Sequence, residues 1–528
     1  MGMAFWILVH CLWLGFAGLQ AIWLWKSRPV ARQWVLPVAL VGGSLLLRWF
    51  LFPGGPGDLR LNLSDAFWSV GPSNWGVAPP VFFKMLGLGA SFSQLGISMM
   101  FVNSVLASLL PLLFYLLLKE LGFSTRNALP AAIVTSLFPI LLLFSKVLNR
   151  QPIFLFLAFT SLYHGAGYLR RMDHLRLALV VISISLAVLS RPEGGGILVC
   201  HAALVGLVPG LKKAREILMA VVALLGLMSF FYLLELPSAF GFWAGQERSW
   251  LLDLLYIFPS LAIITPSMMP LAHVVFWIAG LLAAPAARRR LALCAVATIA
   301  GLVTIWVMTP IASHIIGFKL QLASSRYQSI LSFPVLLGTA LAVERLDLFP
   351  WRYKGWIVGL GLALYVGTYV LPFQAVILPH QIDYEYNFVA TESVKLPEEA
   401  EIYYLEPPAN DLGFVDLPDV SYYVGRQDLR WSSIGREELD SLFSRGDSSN
   451  TYYYAGSMCS RVIPNEGRWL DVERYEDWLQ ACEEIRNRCN TGEGSVVARL
   501  EIPARAFAWY QYADPTIELF IARISKGQ

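Results

Sequence analysis

Acidic residues are scarce through the first 378 positions, which hold 11 Asp/Glu against 26 Lys/Arg. The balance reverses over 379–528, with 26 acidic and 14 basic residues. An acidic tail excludes a nucleic-acid partner, because phosphate neutralisation needs the opposite sign. Cysteine and histidine are also sparse, at six and seven residues, and none of their spacings reads as a zinc site. G-x-G-x-x-G, P-loop and G-x-S-x-G elements are missing, which removes the common dinucleotide, nucleotide and serine-hydrolase chemistries. Two matching halves are missing too, and no charged midplane residue is expected. Both points count against a transporter or flippase.

Apolar length is what the chain has in excess. Hydrophobic residues make up 56% of it and the mean hydropathy is +0.56, with 18 Trp, 31 Phe and 21 Tyr. Apolar blocks of about 20 residues suit a bilayer and not water. Seventeen of the 26 basic residues fall in six clusters between these blocks: Lys26/Arg28/Arg32, Lys119/Arg126, Arg170/Arg171/Arg176, Lys212/Lys213/Arg215, Arg288/Arg289/Arg290 and Arg345/Arg352/Lys354. Two crossings fit between consecutive clusters, so all six can lie on the cytoplasmic side, as the positive-inside rule demands.

The expected spans are Ala4–Trp25, Trp34–Phe52, Ile97–Leu118, Ala128–Lys146, Gln151–Leu169, Leu177–Leu189, Gly194–Leu211, Ile217–Leu234, Ser267–Pro285, Leu291–Ile311, Ser329–Val343 and Gly355–Ile377. The fold class is thus an α-helical polytopic membrane protein of about twelve transmembrane helices (1–378), followed by a soluble extracytoplasmic α/β domain (379–528). The first span reads as an anchoring helix, since its charges follow it where a signal peptide has them first. Pro192 and Gly194-Gly195-Gly196 cannot continue a helix cheaply. They predict a break near the outer face, tolerated where it lines a cavity or is buried in protein.

The outer side then holds the loop 53–96, the turn Asn149-Arg150, the break at Arg191, the loop 235–266 and the segment 313–328. Its carboxylates are Asp58, Asp65, Glu193, Glu235, Glu247 and Asp253, and its cations include Lys84, Arg150, Arg191 and Arg326. Arg is suited to bidentate phosphate contact, and ionisable groups at membrane depth are functional candidates. Several converging Arg side chains with one carboxylate suit a lipid-linked phosphate and a proton-abstracting base.

Leu63-Ser64-Asp65-Ala66-Phe67-Trp68, followed by Ala78-Pro79-Pro80-Val81-Phe82-Phe83-Lys84, resembles the first outer loop of GT-C membrane glycosyltransferases. That superfamily includes the protein O-mannosyltransferases and the lipid A aminoarabinose transferases. Leu189-Ser190-Arg191-Pro192-Glu193-Gly194 resembles the Thr-Arg-Pro-Glu-Gly segment of bacterial members. Ser325-Arg326-Tyr327, leading to Pro334, is similar to their Arg-Tyr-x-x-x-x-x-Pro element. The resemblance covers residues 34 to about 377. It implies transfer of a sugar from a polyprenyl-phosphate donor to a glycan, lipid or protein acceptor at the extracytoplasmic face, in a bacterial inner membrane. Asp65 is then the expected base, with Asp58 as alternative. Arg191, Arg326 and Arg150 are the expected donor-phosphate ligands, supported by Glu193, Tyr327 and Lys84.

Two departures stand out. Members often carry Asp-Glu where this chain has Asp65-Ala66, and an acid where it has Asn149-Arg150. A divalent ion wants several oxygen ligands, so a metal is poorly supplied here and no cofactor is assigned. Arg150 can take the ion's place as a fixed positive charge. Each residue also has a plainer reading. Asp65 can cap a helix beginning at Ala66, Asp58 sits among turn formers, Glu193 can pair with Arg191, and Tyr327 suits an interfacial aromatic belt. A polyprenyl-linked glycan ligase or polymerase is the nearest alternative enzyme.

In the tail, Glu401–Leu405, Thr451–Ala455, Ser495–Ile502 and Ile517–Ile524 are predicted strands, and Glu437–Phe443 and Val472–Arg486 predicted helices. Cys459, Cys482 and Cys489 lie here in an oxidising compartment. One disulfide is expected, with one thiol left over.

Overall fold

A computed structural model of the chain describes residues 2–27, 35–51, 82, 92–138, 151–191, 194–234, 251, 277–278, 288–308, 328–348, 350, 353, 355–357, 359–360, 363, 388–389, 391–405, 426, 428–445, 450–461, 472–503 and 514–524. The helices of the apolar part are α1 (Gly2–Lys26), α2 (Val35–Leu51), α3 (Phe92–Glu120), α4 (Thr125–Ser136), α5 (Gln151–Arg171), α6 (His174–Ser190), α7 (Gly195–Leu207), α8 (Lys212–Leu234), α9 (Arg288–Met308) and α10 (Ser332–Arg345). A 3-10 turn at Gln328–Leu331 precedes α10. The segments Ile7–Lys26, Phe101–Glu120, Gln151–Arg171 and Arg288–Trp306 are long and apolar enough to cross a bilayer, and Val35–Arg48, His174–Ser190 and Gly195–Leu207 are shorter apolar helices. The expected spans over 267–285 and 355–377 lie almost wholly outside the described residues, as does the proposed boundary at 378.

Of the expected span Ala128–Lys146, positions 139–146 lie outside the described residues. Helix α4 stops at Ser136, with Leu137 leaving helical geometry at φ −97° and ψ 0°. Pro139 explains the early stop, because a proline disfavours helical backbone at the residue before it.

The basic clusters meet at one end of the bundle, the expected inner end. Arg171 Nη2 and Arg176 Nη1 both lie 3.1 Å from Glu120 Oε1. The Arg176 guanidinium also sits 5.8 Å from the Trp23 ring of α1 and 5.2 Å from the Tyr163 ring of α5. Arg290 Nη1 lies 2.5 Å from Glu344 Oε1, and its Nη2 donates to the Gly122 carbonyl at 3.2 Å. The Leu211 N–H, beside the Lys212 cluster, donates to the Leu169 carbonyl at 2.9 Å. Gly122 closes α3 in the left-handed region (φ +86°), and the Phe123 N–H returns to the Leu118 carbonyl at 2.9 Å, a helix stop that favours glycine.

Cations from α1, α3, α5, α6, α8, α9 and α10 converge there, so the positive-inside rule makes the other end the expected outer one. A cysteine placed at Ser73 in an otherwise cysteine-free chain should react with an impermeant maleimide in intact cells, while one at Ser27 stays protected. The opposite pattern would invert the orientation.

The tail forms a five-stranded sheet of order β2-β1-β3-β5-β4. Its strands are β1 (Glu401–Leu405), β2 (Arg430–Ile434), β3 (Thr451–Ala455), β4 (Gly494–Pro503) and β5 (Thr516–Ile524). Strand β1 is parallel to β2 and β3, while β5 runs antiparallel to β3 and β4. Side chains alternate between two apolar faces, as strand geometry requires. Tyr453, Ala455, Phe520 and Ala522 pack with helices α11 (Leu439–Arg445) and α12 (Val472–Asn490). Ile402, Tyr452, Tyr454, Leu519 and Ile521 face the other way, with Phe388, Val389 and Leu429.

The Arg426 guanidinium gathers the carbonyls of Ser393 (2.7 Å), Leu396 (2.9 Å) and Pro397 (2.8 Å). Its hydrogen bonds to Asp428 pull that carboxyl down to about 2. Cys459 and Cys482 form the disulfide, and Cys489 is the remaining thiol. Burial pushes that thiol up to about 11.

Candidate functional site

The predicted helical break is present. Helix α6 ends at Ser190, Arg191 turns extended (φ −155°, ψ 138°), and α7 resumes at Gly195. The Arg191 N–H donates to the Ala187 carbonyl at 3.0 Å, and its own carbonyl accepts from the Gly194 N–H at 3.0 Å. The returning chain presses directly on the helix it has just left. A Cβ on Gly194 would sit 2.7 Å from Val188 Cα, so only glycine closes the break this tightly. Arg191 is thereby held at the expected outer end with 8% exposure.

The second outer element meets the break. A Cβ on Gly196 would lie 2.4 Å from Ile330 Cδ1 and 3.0 Å from Thr304 Oγ1. Ile330 belongs to the 3-10 turn that starts just after Arg326-Tyr327. That turn also packs on α9 and on α5, and α5 starts at Gln151, directly after Arg150. The Arg191 break and the turn after Arg326-Tyr327 are therefore brought together from two sequence regions, and α5, which follows Arg150, packs on the same turn. Arg150, Arg326, Tyr327, Glu193, Asp58, Asp65 and Lys84 themselves lie outside the described residues. One residue of the Pro-Pro-aromatic motif is described: the Phe82 ring packs on Trp13 of α1, with centroids 4.5 Å apart.

A cation absent from the expected set lies in α2. Arg48 is wholly buried and lies three residues before Leu51, the last residue of α2, or about 5 Å from that end at 1.5 Å per residue. No site residue was expected in this span, Trp34–Phe52. The signal was a single Arg in an otherwise apolar helix, next to Trp49, where it passes for an interfacial residue.

Acidic partners are unevenly placed. The described carboxylates of the apolar part are Glu120, Asp173, Glu216, Glu344 and Asp347. Glu120, Glu344 and Asp347 are bonded at the inner end, to Arg171 and Arg176, Arg290 and Asn127. Asp173 caps α6 there, accepting from the Leu175 N–H at 3.0 Å, and Glu216 faces Lys212 at 3.9 Å. Among the described residues no three His, Cys, Asp or Glu side chains cluster to hold a metal ion.

No protein-family model matches the chain, and no curated protein does. Solved structures with a related layout include a crystal structure of the oligosaccharyltransferase of Archaeoglobus fulgidus in complex with Zn and sulfate. It is 15% identical, with a TM-score of 0.46, over 80% of this chain and 68% of that one. Another is the archaeal oligosaccharyltransferase AglB from the same organism, in complex with an inhibitory peptide and a dolichol-phosphate. That one is 13% identical, with a TM-score of 0.45, over 92% of this chain and 75% of that one. Identities this low transfer no activity.

Proposed function

We propose that the chain is an integral-membrane, inverting glycosyltransferase of the GT-C type. It transfers a sugar from a polyprenyl-phosphate donor to an acceptor at the extracytoplasmic face. The observation that carries this reading is the packing of the Arg191 break against the turn that follows Arg326-Tyr327, at the end opposite the inner cations. Asp65 takes the proton from the acceptor nucleophile. The nucleophile attacks the anomeric carbon from the face opposite the phosphate, and the bond from that carbon to the phosphate oxygen breaks. Negative charge builds on the departing polyprenyl phosphate, where Arg191, Arg326 and Arg150 stabilise it by fixed, preorganised charge.

Replacing Arg191 or Arg326 by Lys keeps the charge and removes the planar fork, so donor binding should weaken even in these conservative variants. Loss of a charge-assisted contact costs about 1.5–3 kcal/mol, or roughly ten- to a hundredfold in affinity. Binding of a polyprenyl-phosphate sugar to purified variants reads this directly. Wild-type affinity in both Arg191→Ala and Arg326→Ala would assign these residues to the fold.

A further inference from the structure

Helix α2 carries one charge, and its surroundings leave that charge unfinished. Arg48 has 0% exposure. Its Nη1 donates to the Ser44 carbonyl at 3.1 Å and to the Ser44 hydroxyl, one turn back along the same helix. Its Nε and Nη2 are buried and have no hydrogen-bond acceptor. These two nitrogens form the outer edge of the guanidinium, the edge that grips two oxygens of one anion. The described carboxylates of the apolar part are all engaged at the inner end, away from α2's outer half.

Two ordinary roles fit poorly. A snorkelling Arg keeps its head in water, and this head is buried. A structural buried Arg is paired and hydrogen-bonded, and this one lacks both along its free edge. Arg cannot shed its proton in a protein, so the charge persists. Ser44 meanwhile holds the inner nitrogen and leaves the outer edge fixed and free.

From this we infer that Arg48 is an anion-binding residue, and that its anion is the phosphate of the lipid-linked donor. This rests on the proposed glycosyltransferase reading and adds to it a binding residue near one end of α2. A phosphate carried on a hydrocarbon chain is the anion suited to a guanidinium buried on an otherwise apolar helix, because its tail can stay among apolar side chains while two oxygens take the Nε and Nη2 edge. The ligand completes a guanidinium that the fold leaves half-bonded. Removing the charge should therefore stabilise the empty protein and weaken binding at once.

The test uses the full chain in dodecyl maltoside, a detergent without phosphate, with wild type, Arg48→Met and Arg48→Lys. Probes are a short-chain polyprenyl phosphate, the matching polyprenol and inorganic phosphate; readouts are binding and the melting temperature of the empty protein. Wild type should bind the polyprenyl phosphate and not the polyprenol. Arg48→Met should melt higher when empty and bind roughly ten- to a hundredfold more weakly, with Arg48→Lys in between. Competition by inorganic phosphate near the same concentration would overturn the lipid source in favour of a soluble anion. A lower melting temperature in Arg48→Met with unchanged binding would overturn the inference alone and point to a structural role. A wild type that binds no polyprenyl phosphate would overturn the glycosyltransferase reading, and this inference with it.

Discussion

Asp65→Asn should leave a folded, inserted, donor-binding protein that has lost at least about two orders of magnitude in turnover, the usual contribution of a general base. The asparagine keeps the size of the side chain and can still cap a helix, so a purely structural Asp65 predicts little change. The amide cannot accept a proton, so a base predicts loss of kcat with donor affinity intact. Asp58→Asn, among Pro53, Gly54, Gly55, Pro56 and Gly57, should be far milder. Single-turnover assays with a radiolabelled polyprenyl-phosphate sugar separate the two. A fully active Asp65→Asn enzyme refutes the assignment, and an inactive Asp58→Asn moves the base there.

The largest expected effect on stability lies at the other end of the bundle. Glu120 and Arg176 are nearly dry, with side-chain exposures of 8% and 5%. Gly167 makes room for them: a Cβ there would fall 1.5 Å from Arg176 Nη1. Glu120→Ala strips the counter-charge from a buried guanidinium between Trp23 and Tyr163, which should cost about 3–5 kcal/mol. Replacing both partners removes the stranded charge as well, and such exchanges are often neutral. The single variant should therefore show a much lower melting temperature, and Glu120→Ala with Arg176→Met should recover most of it. A double variant no better than the single would mean that Arg176 holds the helices chiefly through its ring contacts.

Much of the layout was legible because it follows from strong local physics. The charge clusters predicted that the basic turns share one end, and the ion pairs around Glu120 and Glu344 join several of them. Strands β1 and β3 begin and end where the runs of Ile and Tyr do. Helix α12 runs on to Asn490, past its predicted end at Arg486, because Ile485 and Cys489 continue its buried stripe. Strand β2 was missed for a physical reason as well. It is an edge strand in which only Ile434 is buried, so Arg430-Trp431-Ser432-Ser433 shows no apolar alternation. Of the candidate site, the break was legible from Pro192 and its glycines, since backbone restriction acts locally. The meeting of Gly196 with Ile330 was not, because it joins positions 134 residues apart that only tertiary packing can pair. Arg48 was hidden for the opposite reason: one charge barely alters the hydropathy of a helix, and its meaning depends on which neighbours fail to bond it.

The strand order of the tail sets a schedule for its synthesis. Strand β5 sits between β3 and β4 although it is made after both. Until residues near Ile524 emerge, β3 presents an open edge and β4 has no partner, which is the condition that invites pairing with another chain. The Cys459–Cys482 bond can form earlier, since both its residues precede β4. It ties α12 beside β3 while that edge is still bare, so an oxidant acting on the emerging chain would protect the half-built sheet before β5 arrives.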